Sequence, residues 1–211
     1  ALSSTKVKTN WAMRNVVQDW VDKHPGVTPD GWDSRELLEP SKDDGTRTFD
    51  DEGDVGVLRT WRAMCPELQE RWPEAARPEH WEGVEISLNG RVVELSLDDF
   101  GLTGAVPAEI GRLSALMTMS LIDNQLTSLP AEIGQLTSLE VLYLSDNQLT
   151  SLPAEIGQLT SLTELYLEGN QLTSVPAEIG QLTSLTVLNL DHNQLTTLPA
   201  EIGQLTSLER L

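Results

Sequence analysis

The chain has little of several things on which common protein classes depend. It has one cysteine, Cys65, so no disulfide can form within it. It has no Asn-X-Ser/Thr sequon and no run of the roughly 18 apolar residues that a membrane-spanning helix needs. These absences argue against a disulfide-stabilised secreted receptor and favour a soluble intracellular protein. The sequence begins at Ala1 rather than at methionine, so earlier removal of a targeting peptide stays open.

Basic residues are also scarce. The chain has 14 lysines and arginines against 33 acidic residues, which gives a formal net charge of −19. Such a charge repels the phosphates of nucleic acids and of anionic lipid headgroups. We therefore expect another protein as the partner, and neither nucleic-acid binding nor direct membrane insertion.

The distribution of tryptophan and leucine divides the chain into two regions. All six tryptophans lie in the mainly helical region 1–91, and regularly spaced leucines dominate residues 92–211. Hydrophobic periodicity predicts helices near residues 10–23 and 55–72. Between them, residues 30–54 hold ten acidic residues among Pro, Gly, Ser and Thr, and we interpret this segment as a solvated acidic loop. Its glycines do not fit the spacing of a calcium-binding hand.

From Leu116 the sequence repeats every 23 residues in four nearly identical units. They begin LMTMSLIDN, LEVLYLSDN, LTELYLEGN and LTVLNLDHN, and each continues with a version of QLTSLPAEIGQLTS. A variant unit at residues 92–115 precedes them, and a sixth begins at residues 208–211. One coil cannot bury its own apolar residues, so we predict a stack of five coils and a truncated sixth.

Alternation within each L-x-x-L-x-L core predicts a short strand with two faces. In the second full unit, Leu142 and Leu144 point inward, and Val141, Tyr143 and Ser145 point outward. The asparagine after each strand is predicted to satisfy backbone groups in the turn. The proline that follows is predicted to set the turn toward the outer side.

The pattern LxxLxLxxNxLxxLPxxIxxL resembles the leucine-rich-repeat signature. The resemblance implies an α/β solenoid, curved, with a parallel sheet on its concave face and helical or 3₁₀ turns outside. The first unit has one extra residue and reads LTGAVP, which resembles the plant-type repeat. The upstream WEGV and NGRV resemble a segment of plant and algal members in which a helical cap covers the first coil. The helix around Asp54–Met64 would be that cap, and Ile86 replaces the cysteine that plant receptors place there.

Comparison of the four units distinguishes the residues that build the scaffold from the residues that could determine specificity. From the asparagine onward they differ only at Val175 and Thr197, and nearly all other variation falls in the strands. We therefore predict that the outward strand residues bind the partner. These are Glu94, Ser96, Asp98 and Asp99, then Thr118, Ser120, Ile122 and Asp123, then Val141, Tyr143, Ser145 and Asp146, then Glu164, Tyr166 and Glu168, and finally Val187, Asn189, Asp191 and His192.

Tyr143 and Tyr166 are predicted to stack about 4.8 Å apart on adjacent strands and to be the main contact residues. Residues 92–211 hold 15 acidic residues against Arg112 and Arg210, so the expected partner is basic. Alternatively, the acids form only a solvated face. The strand face would measure about 300 Å², below the roughly 800 Å² of a standard interface. The cap and acidic loop would then contribute, or the array would continue past Leu211.

The sequence contains no pattern typical of an enzyme. His24, His80 and His192 are far apart in the pattern, and no nucleophile lies beside a base. Cys65 is interpreted as a buried structural thiol, and no cofactor or metal is expected. A permanent structural or linker subunit is the main alternative to an interaction module. A remoter one is ice or mineral binding by threonine rows, at Thr127, Thr150, Thr173 and Thr196 and at Thr137, Thr160, Thr183 and Thr206.

Overall fold

The computed structural model describes residues 53–211. The helix predicted near residues 10–23 lies outside the described residues, as does the acidic loop except for its last two positions. Within residues 53–211, no helix has the length and apolar character needed to cross a membrane.

The described part of the chain begins with a helical cap. Helix α1 spans Asp54–Met64, helix α2 spans Pro66–Arg71, and a 3₁₀ turn follows at Pro78–His80. The prediction of one helix over residues 55–72 is wrong, because Pro66 forces Cys65 into an extended conformation with φ −119° and ψ 106°. Cys65 is buried as predicted, and burial, followed by the nearby Glu67 charge, raises the pKa of its thiol.

Tryptophan side chains hold the cap together. The rings of Trp72 and Trp81 stack with centroids 4.9 Å apart and planes 5° from parallel. The Trp72 indole N–H donates to the carbonyl of Glu82 at 2.8 Å, and that of Trp81 donates to the carbonyl of Pro73 at 3.2 Å. Both rings are therefore buried without leaving their only polar group unpaired.

An arginine of the cap, Arg71, contacts the turn of the first coil. Phe100 occupies the position that asparagine holds in the later coils. The Arg71 guanidinium lies 4.3 Å from the centre of the Phe100 ring and donates to the Asp99 carbonyl at 3.0 Å. The cap thereby supplies a donor to the first coil at the turn where an asparagine serves the others.

The acidic loop ends differently from the prediction. Asp54 is only 7% exposed, so it is not part of a solvated segment. Its Oδ2 atom accepts hydrogen bonds from Arg91 Nε and from the Val92 amide, both at 2.9 Å. Asp54 is the first residue of α1. Its carboxylate can be buried there because a charged donor and a neutral donor both bond to it.

Eight strands lie within residues 53–211. They are β1 (Val84–Ile86), β2 (Val92–Ser96), β3 (Thr103–Ala105), β4 (Thr118–Ser120), β5 (Gln125–Ser128), β6 (Val141–Tyr143), β7 (Glu164–Tyr166) and β8 (Val187–Asn189). Six of them form one sheet in the order β1-β2-β4-β6-β7-β8, and β3 pairs with β5 in a second. Only β1 runs antiparallel to its neighbour. Arg210 extends the large sheet through a parallel bridge to Val187.

The return side of each coil is a five-residue 3₁₀ turn. The turns span Ala108–Arg112, Ala131–Gln135, Ala154–Gln158, Ala177–Gln181 and Ala200–Gln204, and each follows a proline in extended conformation. Successive turns approach closely: a Cβ on Gly157 would lie 2.5 Å from the carbonyl oxygen of Glu178. Glycine at this position therefore sets how tightly the coils stack.

A continuous core runs through the coils. The seven apolar positions of one coil are each at most 7% exposed, namely Leu139, Leu142, Leu144, Leu149, Leu152, Ile156 and Leu159. The side chain of Asn147 joins neighbouring coils, since Nδ2 donates to the carbonyls of Leu121, Leu144 and Ser145 and Oδ1 accepts from the Leu126 amide. The structural role predicted for this asparagine is confirmed.

Candidate functional site

The outward side chains of the large sheet lie in columns, because the parallel register places equivalent residues side by side. The first column is Glu94, Thr118, Val141, Glu164 and Val187, and the second is Ser96, Ser120, Tyr143, Tyr166 and Asn189. Backbone hydrogen bonds continue the alignment into a third column of Asp98, Ile122, Ser145, Glu168 and Asp191 and a fourth of Asp99, Asp123, Asp146, Gly169 and His192. We call this surface the concave face.

A tyrosine pair lies in the middle of the concave face. The rings of Tyr143 and Tyr166 stack with centroids 4.9 Å apart and planes 21° from parallel, which confirms the predicted spacing. The Tyr166 hydroxyl donates to Glu164 Oε2 at 3.0 Å. Burial, together with Glu164, raises the pKa of Tyr166, whereas the charge of Arg210 acts in the opposite direction. The pair is partly exposed and fixed in position by its own stack.

Two of the predicted contact residues do not offer surface. Ser120 and Ser145 are each 4% exposed, so the prediction that they face a partner directly is wrong. Their short side chains lie below the longer ones of neighbouring strands. Ser120 Oγ donates to Asp98 Oδ1, and the same oxygen accepts from the Ile122 amide at 2.9 Å. Asp98 thus uses one carboxylate oxygen to join the first two coils.

The backbone conformation explains which residue types occupy the fourth column. Asp99, Asp123, Asp146 and His192 have φ between 53° and 55°, the left-handed region that asparagine, aspartate and histidine tolerate better than most residues. Gly169 has φ 68°, and a Cβ there would overlap the carboxylate of Asp146. These acids are therefore partly a requirement of the turn, and their presence alone does not indicate a ligand.

The structure adds two charged residues that the sequence prediction missed. Glu85 on β1 lies directly opposite Glu94 in the antiparallel pair. Burial of Glu94, followed by the charge of Glu85, raises the pKa of the Glu94 carboxyl. Arg210 falls in the first column beside Val187. The NGRV hairpin and the 23-residue period, which relates Val187 to Arg210, were the signals that could have found them.

The concave face combines aromatic rings, hydroxyl groups and carboxylates. In the part of the chain that the structure describes, no group of histidine, cysteine and carboxylate side chains could hold a metal ion. Glu168 Oε2 is buried without a hydrogen-bond partner among residues 53–211. Aromatic rings beside carboxylates are suited to a cationic, partly apolar partner.

The coils, the large, mostly parallel sheet and the 3₁₀ turns define a solenoid repeat protein. Residues 91–167 and 133–211 match the family described as "Leucine-rich repeat region". The chain therefore belongs to the leucine-rich-repeat family. No curated protein sequence matches it.

Solved structures support the same fold. A leucine-rich-repeat protein of Leptospira interrogans is 50% identical over 51% of this chain, with a TM-score of 0.50, and this chain covers 27% of it. The BIR2 ectodomain of Arabidopsis thaliana is 27% identical over 72% of this chain and 86% of its own, with a TM-score of 0.64. The ectodomain of the Arabidopsis receptor kinase HAESA is 27% identical over 75% of this chain and 32% of its own, with a TM-score of 0.55.

Proposed function

We propose that this chain is a non-catalytic protein-interaction module whose concave face binds a partner with a basic surface. The observation that carries the proposal is the confinement of variation: the four full units differ almost only in their strands. The sheet turns these variable residues to one face and places a stacked tyrosine pair at its centre. A scaffold repeated almost without change beneath a varied surface is what a recognition module requires.

Two structural relatives support a protein or peptide as the ligand. The HAESA ectodomain was solved in complex with the peptide hormone IDA. Another match, 26% identical with a TM-score of 0.63, comes from a complex of BIR3 with SERK2. Because this chain covers only about a third of HAESA and about a quarter of the Leptospira protein, their partners do not transfer to it directly.

Charge supports a basic partner. Residues 92–211 hold 15 acidic residues and two arginines, and Glu85 adds another carboxylate to the concave face. A surface dominated by one sign of charge accelerates association with the opposite sign and suppresses wrong partners. Nucleic acids and anionic lipids carry the wrong charge for this face.

The size of the face constrains how the partner sits. With strands about 4.8 Å apart, the sheet from β1 to Arg210 is about 29 Å wide, and a usable height of about 12 Å gives about 350 Å². A standard interface buries roughly 800 Å² on each partner. We therefore infer that contacts extend beyond this area, with the turn at residues 87–91 between β1 and β2 as one surface that it does not include.

The test uses the full chain and a partner isolated with it from the native source. Replacing Tyr143→Ala together with Tyr166→Ala is expected to weaken binding by at least about 2 kcal/mol while the fold is retained, measured by calorimetry. Thr150→Ala with Thr173→Ala is the matched control, because both threonines are exposed and lie outside the strands. Unchanged affinity in the folded tyrosine variant would contradict the proposal.

Salt dependence separates recognition from a permanent structural role. Binding steered by the acidic face is expected to weaken as salt is raised, since a Debye length of about 10 Å at 0.1 M shortens to about 3 Å at 1 M. A partner that stays bound at high salt with undiminished affinity would favour the alternative, a fixed subunit of a larger assembly.

A further inference from the structure

The turn at residues 87–91, between β1 and β2, contains a chemically reactive dipeptide. It reads SLNGR, and Asn89 is the only asparagine in the sequence that is followed by glycine. The Gly90 amide donates to the Ser87 carbonyl at 2.9 Å, and Gly90 has a φ of 78°. This is the arrangement of a three-residue hairpin loop in which a left-handed residue follows a tight turn. Glycine adopts that conformation without strain, so the loop favours glycine directly after Asn89.

The backbone nitrogen of Gly90 is open to approach. Asn89 and Gly90 are exposed, and Leu88 is 90% exposed. A Cβ added to Gly90 would meet no atom of residues 53–211 within 4 Å, apart from those of its chain neighbours. The Asn89 side chain and water can therefore both reach this nitrogen.

The Ser87 hydroxyl polarises the Asn89 side chain. Ser87 Oγ donates to Asn89 Oδ1 at 2.5 Å. The same hydroxyl lies 2.9 Å from the Arg91 carbonyl, and since it has one proton to donate, the amide oxygen is the closer acceptor. A hydrogen bond to the amide oxygen stabilises the negative charge that this oxygen acquires when a nucleophile adds to Cγ. Asn89 Cγ is thereby made more electrophilic.

One hydrogen bond of the turn opposes a reaction between the two residues. The Gly90 amide must leave the Ser87 carbonyl before its nitrogen can attack Asn89 Cγ. The net contribution of one neutral hydrogen bond is small, so this requirement slows the attack about tenfold at most. Strand β1 has only three residues, so few ladder bonds resist a local opening of the hairpin.

We propose that Asn89 deamidates spontaneously in the folded protein and that the Ser87 hydroxyl assists the reaction. The Gly90 nitrogen gives its proton to water and forms a bond to Asn89 Cγ, and the Nδ2 group takes a proton from water and leaves as ammonia. The product is a cyclic imide. Water then adds to one of its two carbonyls and opens the ring, which gives aspartate or isoaspartate. Water is the only co-reactant, and nothing is oxidised or reduced.

Deamidation changes the charge of the cap. It adds one negative charge to the formal net charge of −19. The new carboxylate lies two residues from Arg91, which pairs with Asp54, and on the hairpin that carries Glu85 and Glu94. The cap end of the sheet therefore becomes more acidic as the protein ages. This holds whether or not the concave face binds a partner, so it does not rest on the proposed function.

The other asparagines of the described residues serve as internal controls. Asn124, Asn147, Asn170 and Asn193 each donate from Nδ2 to three backbone carbonyls. Each of the four is followed by glutamine, and Asn189 is followed by leucine, so a side chain crowds the nitrogen that would attack. We expect all five to keep their amides.

The test is incubation of the full chain in mildly alkaline buffer, followed by peptide mapping with mass spectrometry and by labelling with an isoaspartyl methyltransferase. A carboxyl group is expected to accumulate at Asn89, at a rate within about tenfold of that in a synthetic peptide of residues 84–96. Full retention of the Asn89 amide in the folded chain, after the peptide has lost nearly all of its own, would overturn the proposal.

Three variants assign the cause. Asn89→Gln is expected to abolish the isoaspartyl label at this turn, and persistence of the label there would overturn the assignment. Ser87→Ala and Ser87→Thr form a matched pair, because threonine keeps the hydroxyl. The alanine variant is expected to react about threefold more slowly than the threonine variant, with tryptophan fluorescence confirming that both are folded. Equal rates in the two variants would overturn the role of Ser87.

Discussion

Asp54 and Arg91 form the ion pair that joins the first helix of the cap to the start of the first coil, with 2.9 Å between Oδ2 and Nε. The same oxygen accepts the amide of Val92, so one atom satisfies a charged and a backbone donor. The side chain of Asp54 is 5% exposed, whereas that of Arg91 is 39% exposed. Loss of the carboxylate would therefore leave the buried Val92 amide without a partner. The Arg91 guanidinium would lose less, because it is partly exposed to water.

Replacing Asp54→Ala is expected to lower the free energy of unfolding by about 3 kcal/mol, because a buried donor is left unsatisfied and an ion pair is broken. Urea denaturation followed by tryptophan fluorescence measures it. Glu79→Ala is the control, since its pair with Arg77 spans 3.7 Å at the surface and such pairs contribute up to about 1 kcal/mol. Equal losses in the two variants would contradict the structural importance of Asp54.

Gly157 and Gly203 occupy equivalent positions of two 3₁₀ turns but differ in what lies beside them. A Cβ on Gly157 would lie 2.5 Å from the Glu178 carbonyl, whereas one on Gly203 would meet nothing within 4 Å. Gly157→Ala is therefore expected to destabilise the fold by about 2 kcal/mol. Gly203→Ala should be neutral or stabilising by up to about 1 kcal/mol, because alanine restricts the unfolded chain. Thermal unfolding of both variants checks this. A stabilised Gly157→Ala variant would show that neighbouring coils can move apart to make room for the added methyl group without loss of stability.

The asparagine ladder offers a second comparison of equivalent positions. Asn147 is 6% exposed, and its amide bridges two coils. Asn193 makes the same four kinds of hydrogen bond but is less buried. We expect Asn147→Ala to cost about 3 kcal/mol and Asn193→Ala about half of that, since water can replace lost partners more easily near the last coil. Equal unfolding midpoints for the two variants would sink this expectation.

Much of the fold could be predicted because one repeat contains the information for the next. The period fixes which residues share a column, so the stack of Tyr143 on Tyr166 followed from the register alone. The seven buried positions and the bridging role of Asn147 followed for the same reason. Any property that each coil shares with its neighbour is visible in a repetitive sequence.

Properties that depend on unlike neighbours were not visible. Ser120 reads as outward by alternation, but it is buried because Asp98 and the longer side chains around it cover it. Glu85 joined the concave face through an antiparallel hairpin that breaks the repeat pattern. Helix α1 ended at Met64 because Pro66 interrupts a continuous hydrophobic period. In each case a residue that lies outside the four nearly identical units decides the outcome.

Glu94 makes the stability of the fold depend on pH. Burial and then the charge of Glu85 raise the pKa of Glu94 above its ordinary 4.5 in the folded protein. The folded state therefore binds this proton more tightly than the unfolded chain does. The resulting stabilisation is complete below pH 4.5 and is lost as the pH rises through the raised pKa.

Glu94→Gln removes the group that must ionise, so its stability relative to the unmodified chain is expected to increase as the pH rises above 4.5 and through the raised pKa of Glu94. Urea denaturation at several pH values measures this difference. A double-mutant cycle with Glu85→Gln assigns the cause: without the Glu85 charge, the gain from Glu94→Gln should shrink but persist, because burial remains. A Glu94→Gln variant that loses stability relative to the unmodified chain as pH rises would show instead that the Glu94 carboxylate is stabilised by folding, against the direction that its surroundings predict.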